Sequence, residues 1–321
     1  MSIVRLFRGP GPVLALALAL CISVPAFAQD ESSGGNAMGG HEISEGHHQG
    51  DHMGPIGPYL SAAELRNWPQ GSRRATPERL VRERTAEMFA EAGVPCEIVA
   101  AHNPGATRQR KDIYEVACRE GPGYLVVAND APAILNCLHL AATEAAQRAA
   151  DATRPVASLC LLDGNKDAAA ALRPLAARID PDCTVDAAAW IGRVGEDQDR
   201  YEIGCAGRDG LWLQTPINRT EVTESFTCLE LAAMGETCAF TTPQEQAATV
   251  ASWLPPDGPA CAADRARVVG VAGGARYYEL GCGSASGLML RLSPEGRFDR
   301  AWPCAEATGI AGGCKLARAE S

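Results

Sequence analysis

Two sets of side chains in this chain have the types and spacing to do chemistry. The first is a cluster of imidazoles: His41, His47, His48 and His52 are four of the six histidines, and they are interleaved with Met38, Glu42, Glu45, Asp51 and Met53. Imidazoles beside carboxylates and thioethers can hold Cu, Ni or Zn, and a flexible segment can fold around the ion. The spacing builds no rigid site, since His41-Glu42 lacks the second histidine of an H-E-x-x-H helix. The expectation is weak binding of Cu, Ni or Zn by a solvated leader, and no other cofactor.

The second set is a glutamate that recurs in one phrase. Asp112-Ile-Tyr-Glu-Val-Ala-Cys118, Asp199-Arg-Tyr-Glu-Ile-Gly-Cys205 and Arg276-Tyr-Tyr-Glu-Leu-Gly-Cys282 place Glu115, Glu202 and Glu279 in equivalent positions. Three such carboxylates could hold a cation or a basic partner. A strand alternates its side chains, however, so Tyr114, Val116 and Cys118 share one face and Glu115 takes the other. The expectation is an ordinary half-buried strand whose glutamate is solvated, with the outer face as a possible binding surface.

Catalytic signatures are missing. Only His102 and His139 lie among the phrases, so no triad or histidine zinc site recurs. Gly283-Ser-Ala-Ser-Gly287 has alanine where a nucleophile elbow needs serine. There is no phosphate loop, dinucleotide fingerprint or C-x-x-C pair. A hydrolase using scattered carboxylates has no motif to support it, and the expectation is a non-enzymatic protein.

The elements that must carry these residues follow from the cysteines. Four precede, end or follow each phrase: Cys96, Cys118, Cys137 and Cys160; Cys183, Cys205, Cys228 and Cys238; Cys261, Cys282, Cys304 and Cys314. The first-to-second spacings are 22, 22 and 21, and the third-to-fourth spacings 23, 10 and 10, the long value arising from an alanine-rich insertion near 141–154. Upstream of each set lies a helical pattern: Val81, Met88 and Ala92 after Thr76-Pro77; Leu172, Leu175 and Ile179 after Asp163 or Asn165; Ala247, Val250 and Leu254 after Thr242-Pro243, where Glu245 completes a capping box. Segments 97–101, 184–191 and 265–271 read as first strands, the phrases as second strands, and 124–127, 211–213 and 288–290, each beginning just after a glycine, as third strands.

These readings assemble into an α+β protein of three tandem disulfide-stabilised repeats. Each repeat is an N-terminal helix followed by a small antiparallel sheet, with a short helix before the last strand, for which 158–162 is the example. A hairpin centred near 107 would put Cys96 opposite Cys118, and the equivalent symmetry would pair first with second and third with fourth cysteines throughout.

The N-terminus has the pattern of a secretory signal, with Arg5 and Arg8, an apolar run from Val13 to Val24, and Ala26-Phe-Ala28 as a cleavage site. Cleavage removes Cys21 from the thirteen cysteines, leaving an even set of the kind that forms disulfides in an oxidising compartment. It also removes two of the 29 basic residues, leaving 27 against 39 acidic ones, which argues against nucleic acid as a partner. No later apolar stretch is long enough to span a membrane. The expected organisation is a signal peptide at 1–28, a disordered His/Gly-rich leader at 29–58, and repeats at 59–162, 163–240 and 241–321. The expected function is binding or interaction in the periplasm or cell envelope, with an envelope protein or a small molecule as partner; the alternative is transition-metal binding through the leader.

Overall fold

The computed structural model describes residues 76–107, 109–153, 158–283 and 285–316. The signal segment, the leader with its four histidines, and residues 59–75 lie outside them. The described chain is α+β, with three four-stranded antiparallel sheets, each strand bonded to its sequence neighbour, and six disulfides. In chain order, α1 (Glu78–Ala92) precedes β1 (Ile98–Ala106), β2 (Asp112–Cys118), β3 (Tyr124–Val127) and β4 (Ala133–Asn136), which runs into α2 (Cys137–Ala150). Next, α3 (Asp163–Lys166) and α4 (Ala168–Ile179) precede β5 (Val185–Val194), β6 (Gln198–Cys205), β7 (Arg208–Pro216) and β8 (Glu224–Thr227), which runs into α5 (Cys228–Ala233). Last, α6 (Pro243–Ser252) precedes β9 (Arg265–Ala272), β10 (Ala275–Cys282), β11 (Ala285–Leu292) and β12 (Phe298–Pro303).

Local chemistry explains the helices. α1 buries Val81, Thr85 and Phe89 along one face and stops at Gly93, whose φ of 65° is left-handed and favours glycine. The apolar phase is therefore carried by Phe89, while Ala92 is exposed. Pro77 occupies the N-cap of α1 without a side-chain bond, so Thr76 does not cap it. α4 is capped by Asp167, which accepts from the Ala170 N–H, and neither Asp163 nor Asn165 has that role. α6 opens on the full Thr242/Glu245 capping box with Pro243 in its first turn.

Two expectations about the sheets need correction. The fourth strand comes before the third cysteine, as β4, β8 and β12, and residues 158–162 form no strand. The Leu161 and Leu162 N–H groups are taken by the Glu115 side chain and the Leu159 N–H by Glu144, not by a ladder. The disulfides also do not join directly opposed strand residues: Ile98, not Cys96, stands opposite Cys118, and Val185, not Cys183, opposite Cys205. Bulges in β1 and β5 shift the register, and the first cysteine of each pair sits just ahead of its strand, with Cα separations of 5.2 and 5.1 Å.

Both faces of the sheets are covered. On one face of the first sheet Tyr114, Val116, Tyr124 and Val126 pack with Val81 and Phe89 of α1. On the other, Ile113, Leu125 and Val127 pack with Leu140 and the Cys137–Cys160 disulfide. The inward Tyr-aliphatic pairs recur in the other sheets, with Tyr201, Ile203, Tyr278 and Leu280 all buried. No described helix is long and apolar enough to cross a membrane.

A polar plug joins the first sheet to the second. Asn136 donates from Nδ2 to the Tyr201 hydroxyl at 2.7 Å and to Asp199 at 3.3 Å, and Trp190 Nε1 donates to Asp199 at 2.8 Å. The His139 ring stacks on Trp190 with centroids 4.2 Å apart. Burial, helped by the Arg193 charge and opposed by Asp199, pushes His139 down to about 4. Because the unfolded chain then takes up the proton more readily, stability falls as pH drops from about 6.5 to about 4. Urea denaturation across that window should show the native chain losing up to about 3 kcal/mol more than His139→Gln, whose own offset is independent of pH.

Candidate functional site

The three glutamates of the repeated phrase are buried, at 0, 3 and 0 % exposure, and do not form the solvated face expected of them. Each carboxylate accepts from the backbone just beyond the last cysteine of its set. Glu115 accepts from Leu161 N–H at 2.9 Å, Leu162 N–H at 2.8 Å and Asn165 Nδ2 at 2.8 Å. Glu202 accepts from Phe240 N–H at 2.7 Å and Trp212 Nε1 at 3.3 Å. Glu279 accepts from Lys315 N–H at 2.9 Å, Leu316 N–H at 2.6 Å and Arg267 Nε at 2.5 Å. A segment that has left the sheet thus has its N–H groups satisfied by a charged acceptor, the stronger kind of hydrogen bond. The second face of the sheet is covered by this segment, which is why alternation did not put the glutamates in water.

The glycine after each phrase belongs to the same arrangement. A Cβ on Gly123, Gly210 or Gly287 would stand 2.4, 2.4 or 2.6 Å from the carbonyl oxygen of Val116, Ile203 or Leu280. Close approach, and not turn conformation, requires glycine there.

All twelve cysteines of the expected framework are paired. Cys96 bonds Cys118, Cys137 bonds Cys160, Cys183 bonds Cys205, Cys228 bonds Cys238, Cys261 bonds Cys282 and Cys304 bonds Cys314. Among the described residues, the groupings with metal-ligand proximity are Glu115 with Cys137 and Cys160, and Glu279 with Cys304 and Cys314. These are closed: the sulfurs are in disulfides, and a metal needs thiolates, while both carboxylates are bonded to N–H donors. His41, His47, His48 and His52 lie outside the described residues.

An open site lies instead where the second sheet meets α6 and β10. A cleft of about 540 Å³ is lined by Arg208 and Asp209 of β7, Phe226 and Thr227 of β8, Trp253, and Arg276 and Tyr278 of β10, a size that suits a small molecule. Its origin is visible in the first junction, where Tyr201 pairs across the ladder with Trp190 and His139 fills the space. In the second junction Tyr278 pairs with Val268, and Glu230 occupies the place two residues past the third cysteine that His139 holds. Smaller and differently charged residues leave the space unfilled.

Asp209 is the unusual member. It precedes Gly210, where the first sheet has Pro122, and is 6 % exposed. Its N–H donates to Thr249 Oγ1 at 2.7 Å, and its Oδ2 accepts from Leu229 N–H at 3.1 Å, but Oδ1 has no hydrogen-bond partner. Burial pushes the carboxyl up to about 6, against the pull of the Leu229 bond and the neighbouring Thr227 and Gln246 side chains. Tyr278 is raised too, chiefly by burial, with Glu230 and Asp209 adding to the effect and Arg276 opposing it. The folded chain holds the Asp209 proton more tightly, so the stability associated with this site is whole below about pH 3.8 and is lost as pH rises through about 6. Asp209→Asn should accordingly raise the unfolding free energy at pH 7.5 by up to about 3 kcal/mol and change it little at pH 3.5, as measured by denaturant titration.

The sequence reading passed over Asp209, Arg276 and Trp253, and took Tyr278 only as core. The available signal was the departure itself, a charged residue in β7 at a place that does not repeat. No protein-family model, curated protein or solved structure matches the chain.

Proposed function

We propose that this chain is an exported, non-enzymatic binding protein of the periplasm or cell envelope, made of three tandem repeats behind a cleaved signal peptide, with the cleft beside Asp209 as its ligand site. One observation carries the reading: the side chains that recur are occupied in holding the fold, whereas Arg208, Asp209 and Arg276, charged groups that line the cleft, do not recur. Six disulfides and the Ala26-Phe-Ala28 pattern support export. A buried carboxylate that lowers stability at neutral pH supports a functional use for the cleft, since strain of this kind concentrates at sites.

The test has two arms. N-terminal sequencing of the full chain expressed with its own leader should find the mature protein beginning at Gln29 in the envelope fraction, without free thiols; retention in the cytoplasm with reactive thiols overturns the export part. Denaturation of the mature chain with small-molecule mixtures should reveal a ligand that adds about 2.7 kcal/mol at a hundred times its Kd. Stability unmoved by any mixture overturns the binding part.

A second reading, transition-metal binding through the leader, is favoured by the composition around His41, His47, His48 and His52. Titration of the mature chain with Cu, Ni and Zn, against a variant with all four histidines changed to alanine, separates the two. Tight binding lost in the variant favours the metal role, and no binding tighter than millimolar in the native chain removes it.

A further inference from the structure

The proposed cleft also carries information about what would fill it, an inference that rests on the binding reading above. Most of its charges are already matched. The Arg208 charge is balanced by Asp180 at 3.7 Å and Asp182 at 3.8 Å, although its Nε makes no hydrogen bond. Glu230 accepts from the Thr227 N–H at 3.0 Å in the capping box of α5. Two charged groups of the cleft lack an opposite charge among the described residues: the Asp209 carboxylate, whose Oδ1 makes no hydrogen bond, and Arg276, which lies beside the Tyr278 hydroxyl.

The same cleft has aromatic and aliphatic walls. Trp253 meets Tyr278 edge to face with centroids 4.8 Å apart, and Phe226, Leu211 and Leu292 add to the apolar lining. An occupant that leaves no buried polar atom unsatisfied must bring a cationic N–H donor to Asp209 and an anion to Arg276, on an apolar body that fits the aromatic walls. A lone anion would leave Asp209 unmatched, and a lone cation would face Arg276.

We infer that the cleft binds a small zwitterion, an amino acid with an apolar or aromatic side chain, its ammonium on Asp209 and its carboxylate on Arg276. The guanidinium plane suits a carboxylate taken in bidentate fashion, and the aromatic walls attract the ammonium as well as the side chain.

The test is calorimetric titration of the intact mature chain with phenylalanine, N-acetylphenylalanine and phenylalanine methyl ester, together with 15N spectra that follow the Trp253 indole. Phenylalanine should bind saturably and shift that signal. Each blocked derivative should bind at least tenfold more weakly, with Asp209→Asn reducing the preference for the free amine and Arg276→Gln the preference for the free carboxylate. Equal affinity for all three compounds overturns the zwitterion assignment while leaving the cleft as a site. Shifts of the Trp253 indole by benzyl alcohol or benzoate, with none by phenylalanine, overturn it in the same way. If none of the five compounds moves the indole, both the assignment and the binding reading fall.

Discussion

Complete reduction of the six disulfides is expected to abolish the cooperative unfolding transition. The cross-links close loops of 21 to 23 residues in four cases and 10 in two. On the chain-entropy account each is worth about 3 kcal/mol, and their combined effect exceeds the roughly 5–15 kcal/mol that separates a typical native domain from its unfolded chain. The sheets are small and the chain has few large aromatics to bury, so the cores cannot supply the difference. Circular dichroism of the chain refolded with its thiols reduced should show no thermal transition, and reoxidation should restore it. A sharp transition in the fully reduced chain would mean that burial alone holds the sheets.

The second large effect is expected from Glu115→Ala. It removes the acceptor of the part-buried Leu161 and Leu162 N–H groups and of the buried Asn165 Nδ2, and leaves that amide short of one acceptor in the interior. Such a loss costs about 1–3 kcal/mol per orphaned group, and breaking a buried charged network commonly costs about 3–5 kcal/mol in total. Urea denaturation with the disulfides intact should therefore show a loss of that size. Glu279→Ala should behave alike, because Arg267 loses its carboxylate along with the two backbone donors. Glu202→Ala should cost less, since its carboxylate holds one backbone N–H and one longer bond from Trp212. Losses below about 1 kcal/mol at all three positions would return these glutamates to the role of solvated strand residues.

Much of the fold was legible because its signals are local. The cysteine spacing, the period-two sorting of Tyr114 from Glu115 and the Thr242 capping box each depend on a few neighbouring residues, and each maps onto an element that forms. The fourth strand was misplaced for a non-local reason. Whether residues 158–162 join a ladder depends on Glu115, more than forty positions away, and that side chain takes the Leu161 and Leu162 N–H groups. Alternation likewise cannot tell one-sided from two-sided burial, so a glutamate covered by a returning segment reads the same as one in water. The cleft was the least legible part, because it exists through what the second junction lacks. His139 and Trp190 fill the first junction, Glu230 and Val268 do not fill the second, and only the three-dimensional comparison makes Asp209 conspicuous.

The central claim is that the recurring Tyr-Glu-x-x-Cys carboxylates hold the backbone beyond the last cysteine and are not themselves a reactive site. Amide hydrogen exchange at Leu161, Leu162, Phe240, Lys315 and Leu316 tests it most directly, since these N–H groups belong to no strand, and Leu161 and Lys315 lie at the surface. Protection comparable to that of the β2, β6 and β10 amides is the predicted result. Exchange at the rates of a free peptide in these five positions would contradict it.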